Sequence, residues 1–243
     1  MLVSIITVCF NSEAYIRQTI DSVLAQTYEP VEYIIVDGLS QDGTMAIVTD
    51  YARRYPSRIR YVSERDSGIY NAMNKGLRLA TGELIGLINS DDWYEPTAVE
   101  TVVRAYRTHG PAVYHGIQRT HRDGEVLGVR RSNANQLPKH MIEHPTCFVP
   151  KAFYEQYGLF NEAYRYVADY ELMLRLHQQG VPFVPLDDIL ANFREGGASH
   201  TQQAVFENHR LWLTYGLISR NEYIYRSVMD RLKSSVGRGP KAG

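Results

Sequence analysis

Five acidic side chains stand where chemistry could use them. Asp37 closes one apolar run, Glu64 and Asp66 follow another, and the pair Asp91-Asp92 follows a third. Carboxylates gathered in one place repel each other unless a cation or hydrogen-bond donors neutralise them. Taken singly, each Asp reads equally well as a turn former or a helix cap. Taken together, arriving strand by strand at one edge, they point to a site. Asp91-Asp92 is the pair that suits a metal: hard oxygen ligands on a short turn fit Mg2+ or Mn2+, which takes one or two carboxylates plus phosphate and water.

The elements that must position these residues alternate along the first hundred positions. Val3–Val8 is a continuous apolar strand. Asn11 or Ser12 can cap a helix carrying Ile16, Ile20, Val23 and Leu24 on one face. Tyr33–Val36 is a second strand, followed by a helix with Val48, Tyr51 and Ala52 inward. Arg60–Ser63 is a third strand, and Ile69, Met73, Leu77 and Ala80 mark the next helix. Leu84–Ile88 has the composition of a strand buried on both faces. A helix from Pro96 to about His109 closes the series. This βαβαβαβ order predicts a mainly parallel, doubly wound sheet, in which ligands bind beyond the carboxyl ends of the strands.

The second half is less regular. Ala112–His115 and Val126–Val129 flank a hairpin turn at Asp123-Gly124. Arg130–Lys139 is polar and reads as a mobile loop, Thr146–Val149 as a strand, and Ala168–Gln179 as an amphipathic helix stopped by Gly180. Ile189–Phe193 is a late strand. Thr201 to Val236 is helical, and the tail to Gly243 is basic and reads as frayed.

Composition excludes several classes. Lys and Arg number 26 against 27 Asp and Glu, so no global charge draws the chain to nucleic acid. The two cysteines, Cys9 and Cys147, have no paired spacing, which excludes a cysteine-built zinc site and fits either a reducing compartment or plain core thiols. The opening MLVSIITVCF lacks a basic n-region and reads as a strand, not a signal peptide. No run reaches the ~18 apolar residues of a membrane span. These features predict a cytoplasmic protein. No G-x-x-x-x-G-K-[ST] loop and no G-x-G-x-x-G after the first strand are present, which removes a P-loop and a hydride-transfer cofactor.

The stretches VSIITVCFNSEAYIRQTIDSVLAQTY, IIVDGLSQDGT, SERDSGIYNAMNKGLRLATGELIGLINSDDWY and ADYELMLRL together resemble family 2 glycosyltransferases of the GT-A fold. The GIY-x-AMNKG variant is similar to a branch that assembles bacterial cell-surface polysaccharides and glycolipids. The resemblance implies an α/β GT-A domain over residues 1–200, with a nucleotide-sugar-binding half (1–110) and an acceptor-binding half (111–200). A small antiparallel portion and a C-terminal helical extension (201–243) complete the expected architecture. It also implies that Thr7, Cys9, Phe10 and Asn11 wall the nucleotide, that Asp37 and Asp66 contact base and ribose, and that Asn71, Lys75 and Ser90 lie on the donor side. Asp91 falls against the ribose or the metal, Asp92 ligates the metal, and Asp169 matches the catalytic base. His144 falls on the acceptor side, and Arg194 and His200 lie in a loop near the donor diphosphate.

Two departures from the family pattern stand out. Gly38 replaces the second Asp of a V-D-D-G-S run, and Ala168 replaces the Glu that often precedes the base. The implied reaction is an inverting, metal-assisted transfer of a sugar from a nucleotide-sugar to a hydroxyl of a glycan or lipid-linked acceptor. A UDP-sugar is favoured, with GDP- or dTDP-sugars as alternatives. Read without the resemblance, Asp169 is as well placed to cap a helix, His144 to be a hydrogen-bonded structural histidine, and Lys75 to be solvated on a helix. A nucleotidyltransferase would share the architecture but needs a Gly-rich basic loop where Cys9-Phe10-Asn11-Ser12-Glu13 stands. A non-catalytic sugar-nucleotide-binding protein would not need to keep the acidic set. The C-terminal segment, with Leu211, Trp212, Leu213, Leu217 and Ile218 followed by Arg220, Arg226, Arg231, Lys233, Arg238 and Lys241, fits three readings: peripheral docking on an anionic leaflet, packing on the domain, or a homodimer contact.

Overall fold

A computed structural model of the chain describes residues 1–196 and 201–236. β1 (Val3–Cys9), β2 (Val31–Asp37), β3 (Ile59–Ser63) and β4 (Leu84–Leu87) pair in parallel in the order β3-β2-β1-β4. The sheet continues through β8 (Phe148–Pro150), β6 (Val113–Arg122), β9 (Phe183–Arg194) and β5 (Trp93–Tyr94), with β7 (Glu125–Arg131) beside β6. β8 runs antiparallel to β4, and β6 pairs in parallel with β9. The expected α/β, mainly parallel, doubly wound sheet with an antiparallel portion is therefore what the chain forms.

Alternation along β1 explains the two layers of helices. Val3, Ile5 and Cys9 face one core, shared with Ile16, Ile20 and Val23 of α1 (Ile16–Leu24), Val48 of α2 (Thr44–Arg54), and Val99 and Val102 of α4 (Ala98–His109). Ile6 and Val8 face the other, shared with Tyr70, Met73 and Leu77 of α3 (Ile69–Leu79) and Leu172, Met173 and Leu176 of α6 (Ala168–Gln178). Each fully buried Ile or Leu contributes about 1.5–3 kcal/mol. Helix α3 reaches the sheet closely because position 76 is glycine: a Cβ there would lie 2.4 Å from Ile6.

Several local expectations are corrected. Neither Asn11 nor Ser12 caps α1 through its side chain. The Ser12 carbonyl accepts the N–H groups of Tyr15 and Ile16, and Asn11 bonds across to the next loop. The segment expected as a loop over Arg130–Lys139 begins as the end of β7 and holds a 3-10 turn at Ala134–Gln136, with Leu137 fully buried. A second 3-10 turn at His144–Thr146 precedes β8, so that strand starts later than expected. The two-residue β5 and α5 (Lys151–Tyr157) were not apparent from periodicity, which is weakest for such short elements.

The C-terminal segment divides into α7 (Gln202–Thr214) and α8 (Arg220–Val236) around Gly216, whose φ of 68° suits glycine. Leu211 is fully buried and Trp212, Tyr215 and Leu217 pack on the α6 core, so α7 is part of the domain. Helix α8 leaves Ile224, Tyr225, Val228 and Leu232 exposed. No helix among the described residues is long and apolar enough to cross a membrane.

Candidate active site

The chain runs outward from β1 to β2 and β3, then returns to β4 on the other side of β1. The strand order reverses between β1 and β4, and in such sheets a crevice forms at the carboxyl ends of the strands at that point. A cavity of about 720 Å³ occupies that crevice. Cys9, Phe10, Asn11, Asp66, Ser90, Asp91, His144 and Asp169 line it, so eight sequence-predicted residues from both halves meet in one space.

One wall, built from the loops after β1 and β2, is tied together by polar contacts. Asn11 holds a left-handed φ of 49°, which Asn tolerates better than most residues. It donates its N–H to Ser40 Oγ at 2.8 Å, and its Oδ1 accepts the Gln41 N–H at 2.8 Å. The Ser12 and Ser90 hydroxyls meet at 2.8 Å, joining the β1 and β4 loops. Phe10 is left 61% exposed, a large ring with little protein cover at the cavity mouth.

Asp37 does not line the cavity. It is fully buried behind the wall and accepts the N–H groups of Leu39 and Ser40 and the hydroxyls of Ser40 and Ser63. Thr7 is likewise buried, accepting the Tyr33 hydroxyl at 3.0 Å. Asp66 does reach the cavity: one oxygen accepts the Gly68 N–H at 3.0 Å, and the other stands over position 38. A Cβ at Gly38 would sit 2.5 Å from that oxygen, a physical reason for the departure from the V-D-D-G-S pattern.

Asp91 lines the cavity and Asp92, next to it, does not. Asp92 is fully buried; its Oδ1 accepts the Arg194 N–H at 2.9 Å, and its Oδ2 has no partner. Burial raises the pKa of both carboxyls, and the charge of Asp91 adds to the rise at Asp92. A half-buried carboxyl beside a fully buried one with an orphaned oxygen is a donor set that suits a hard divalent cation. Among the described residues no group of three or more His, Cys, Asp or Glu could hold a metal by itself. Phosphate and water would have to complete such a shell, as is usual for Mg2+.

Arg194 closes this corner. Its guanidinium donates to Gln18 at 2.8 Å and stacks over Tyr15 and Trp93, 4.4 and 5.2 Å from their ring centroids. Two other predicted donor residues are engaged elsewhere. Asn71 donates to Glu162, and Lys75 pairs with Glu64 and donates to the Arg65 carbonyl. His200 lies outside the described residues.

On the opposite wall, Asp169 occupies the second position of α6, while Val167 stands at the N-cap with no side-chain cap bond. The carboxyl is thus not the cap, although its Oδ1 accepts the Tyr170 N–H at 2.9 Å. The same oxygen accepts the Tyr70 hydroxyl at 2.9 Å. His144 is buried, edge-on to Phe160, with Nε2 unpartnered; burial lowers its pKa against the opposing pull of Asp169. Residues not singled out from sequence also line the cavity: Tyr15 beside Arg194, and Tyr70, Gln118, Thr120, Glu143 and Tyr166. Gln118 and Thr120 alternate along β6, and that period-2 spacing of polar groups was their available signal. The backbone N–H groups of Arg165 and Tyr166 are held by Glu207 of α7 at 2.8 and 2.7 Å, so the C-terminal segment braces the cavity rim.

This fold is that of the GT-A glycosyltransferases. A crystal structure of S. aureus TarS in complex with UDP-GlcNAc superposes with a TM-score of 0.74 at 19% identity, covering 93% of this chain and 69% of that one. The mannosyltransferase PcManGT from Pyrobaculum calidifontis, in complex with GDP-Man and Mn2+, superposes with a TM-score of 0.70 at 15% identity, covering 98% of this chain and 76% of that one. The family model described as "Glycosyl transferase family 2" matches residues 4–168, and the chain belongs to that family. A chondroitin synthase of Escherichia coli is 32% identical over 202 residues, 79% of this chain and 28% of that protein. An uncharacterized glycosyltransferase of Rickettsia felis is 29% identical over 189 residues, 72% of this chain and 31% of that protein. The chain therefore spans less than a third of the length of these two relatives.

Proposed function

We propose that the chain transfers a sugar, with inversion, from a nucleotide-sugar to a hydroxyl of an acceptor glycan or glycolipid, with Asp169 as general base. The observation that carries this reading is the shared cavity: Phe10, Asp66 and Asp91 on one wall face Asp169 on the other. The acceptor O–H gives its proton to the Asp169 carboxylate while its oxygen bonds to the anomeric carbon. The bond from that carbon to the diphosphate oxygen breaks, and its electron pair leaves with the nucleoside diphosphate. A positioned base of this kind typically contributes ~10²–10⁴-fold. One displacement on the face opposite the leaving group inverts the configuration.

Asp91 and Asp92 would hold a divalent cation, which offsets the charge growing on the diphosphate when bound. Phe10 would stack on the base, and Asp66 would accept from base or ribose. A UDP-sugar is the favoured donor, with GDP- or dTDP-sugars as alternatives; the solved relatives carry UDP-GlcNAc or GDP-Man. Residues 1–110 would serve the donor and 111–200 the acceptor. The exposed apolar stripe of α8, with Arg220 and Arg226 on the same helix, favours docking on the inner face of an anionic membrane. Salt-sensitive partition onto acidic vesicles tests that part. The reaction itself is tested by NMR of the product from donor and acceptor screens: the anomeric configuration should be opposite to the donor's, and retention would overturn the mechanism.

A further inference from the structure

The carboxyl group of Asp169 is held on one side only. Its Oδ1 accepts two hydrogen bonds, from the Tyr70 hydroxyl at 2.9 Å and the Tyr170 N–H at 2.9 Å. No other hydrogen bond reaches this carboxyl among the described residues, so Oδ2 is left free on a side chain that lines the cavity.

Tyr70 is built to make that contact. It sits at the second position of α3, is nearly fully buried, and packs its ring 5.5 Å from that of Phe160. One helical turn on, Asn74 fixes the backbone of Phe160 from both sides: its Oδ1 accepts the Phe160 N–H at 3.0 Å and its Nδ2 donates to the Phe160 carbonyl at 2.9 Å. The i, i+4 spacing places both residues on one face of α3. The ring is held against Phe160, and among the described residues the Asp169 carboxyl is the only acceptor bonded by that hydroxyl. Burial and the neighbouring Asp169 raise the Tyr70 pKa well above its usual value, which keeps the hydroxyl a donor at neutral pH.

We infer that Tyr70 is a positioning residue for proton transfer: with the Tyr170 N–H it pins Oδ1 and so makes Oδ2 the atom that takes the acceptor's proton. The inference rests on the reading of Asp169 as general base. Its consequence is specific in sign. A donor that merely stabilised the carboxylate would make it a weaker base, and removing that donor would leave turnover unchanged or raise it. A donor that fixes the plane of the carboxylate speeds the reaction by orientation, and removing it slows turnover.

The test is a double-mutant cycle in the full chain, read as kcat, donor KM and melting temperature. Tyr70→Phe keeps the ring on Phe160 and should lower kcat by ~10-fold or more, the scale of a lost hydrogen bond to a charged group, with donor KM and melting temperature nearly unchanged. In an Asp169→Asn background the same substitution should bring no further loss, because no proton is taken there. Equal losses in both backgrounds, or kcat unchanged or raised in Tyr70→Phe alone, would overturn the inference and leave the base assignment standing. Turnover of Asp169→Asn at the level of the unaltered protein would instead overturn the base assignment, and the inference with it.

Discussion

The two walls of the cavity are built on opposite plans. The loops after β1 and β2 spend their polar groups on each other: Asp37 alone accepts from five donors, the Cys9 thiol among them, and Asn11 spans two loops. The acceptor-side residues come from α3, β6, α6 and the segment before β8, and several keep unused valence, including the free oxygen of Asp169 and the unpartnered His144 Nε2. A carboxylate with every oxygen engaged shapes a wall, whereas one with an oxygen to spare can exchange a proton. Burial alone does not separate the two, since Asp92 is as buried as Asp37 yet keeps Oδ2 unpartnered.

The largest effect expected from this contrast lies at the β4 end. Stripping divalent cations with a chelator, or changing Asp92→Asn, should lower turnover by ~10³-fold, since a Lewis acid at such a site supplies several kcal/mol. Readdition of Mn2+ should restore the unaltered protein but not the variant. Full activity in excess chelator would show that the unpartnered Oδ2 serves some other group.

The scaffold carboxylate should behave differently. Asp37→Ala leaves at least three donors unpaired in a fully buried position, so about 3 kcal/mol of stability should be lost, or ~6–12 °C in melting temperature. Donor affinity should fall as a secondary consequence. A variant that melts normally while losing donor affinity would mean that Asp37 touches the nucleotide directly, as the family resemblance implies.

How much of this was legible in the sequence follows from the same contrast. The donor half is regular βαβ structure, whose apolar periodicity locates strands to within a residue or two and so places Asp66 and Asp91 at one edge. Contacts such as Tyr70 to Asp169 join positions 99 apart and leave no periodic trace. The GIY-x-AMNKG run was visible as a motif, but its division of labour was not. Tyr70 bonds Asp169, Asn71 and Asn74 hold Glu162, and Gly76 admits Ile6. Likewise Gly38 was visible as a departure, and its reason, the Asp66 carboxyl above it, needed coordinates.

A smaller effect distinguishes the halves by acid. His115 of β6 is buried with Nε2 unpartnered, and burial lowers its pKa to about 4. The unfolded chain takes up its proton near the ordinary value of 6.5. Stability from this neutral histidine is therefore present above that pH and declines between about 6.5 and 4, by up to about 3 kcal/mol. His115→Gln should flatten the fall in melting temperature across that window. Identical slopes would place the acid sensitivity elsewhere.

The central claim, that Asp169 works by chemistry while its neighbours work by structure, is met most directly by Asp169→Asn. Asparagine keeps an oxygen to accept from Tyr70 and Tyr170 but cannot take a proton. Turnover should fall by ~10²-fold or more, the scale of a lost general base, while melting temperature and nucleotide-sugar affinity stay where they were. Turnover like that of the unaltered protein, or a loss of activity that merely follows a loss of stability, would contradict the account.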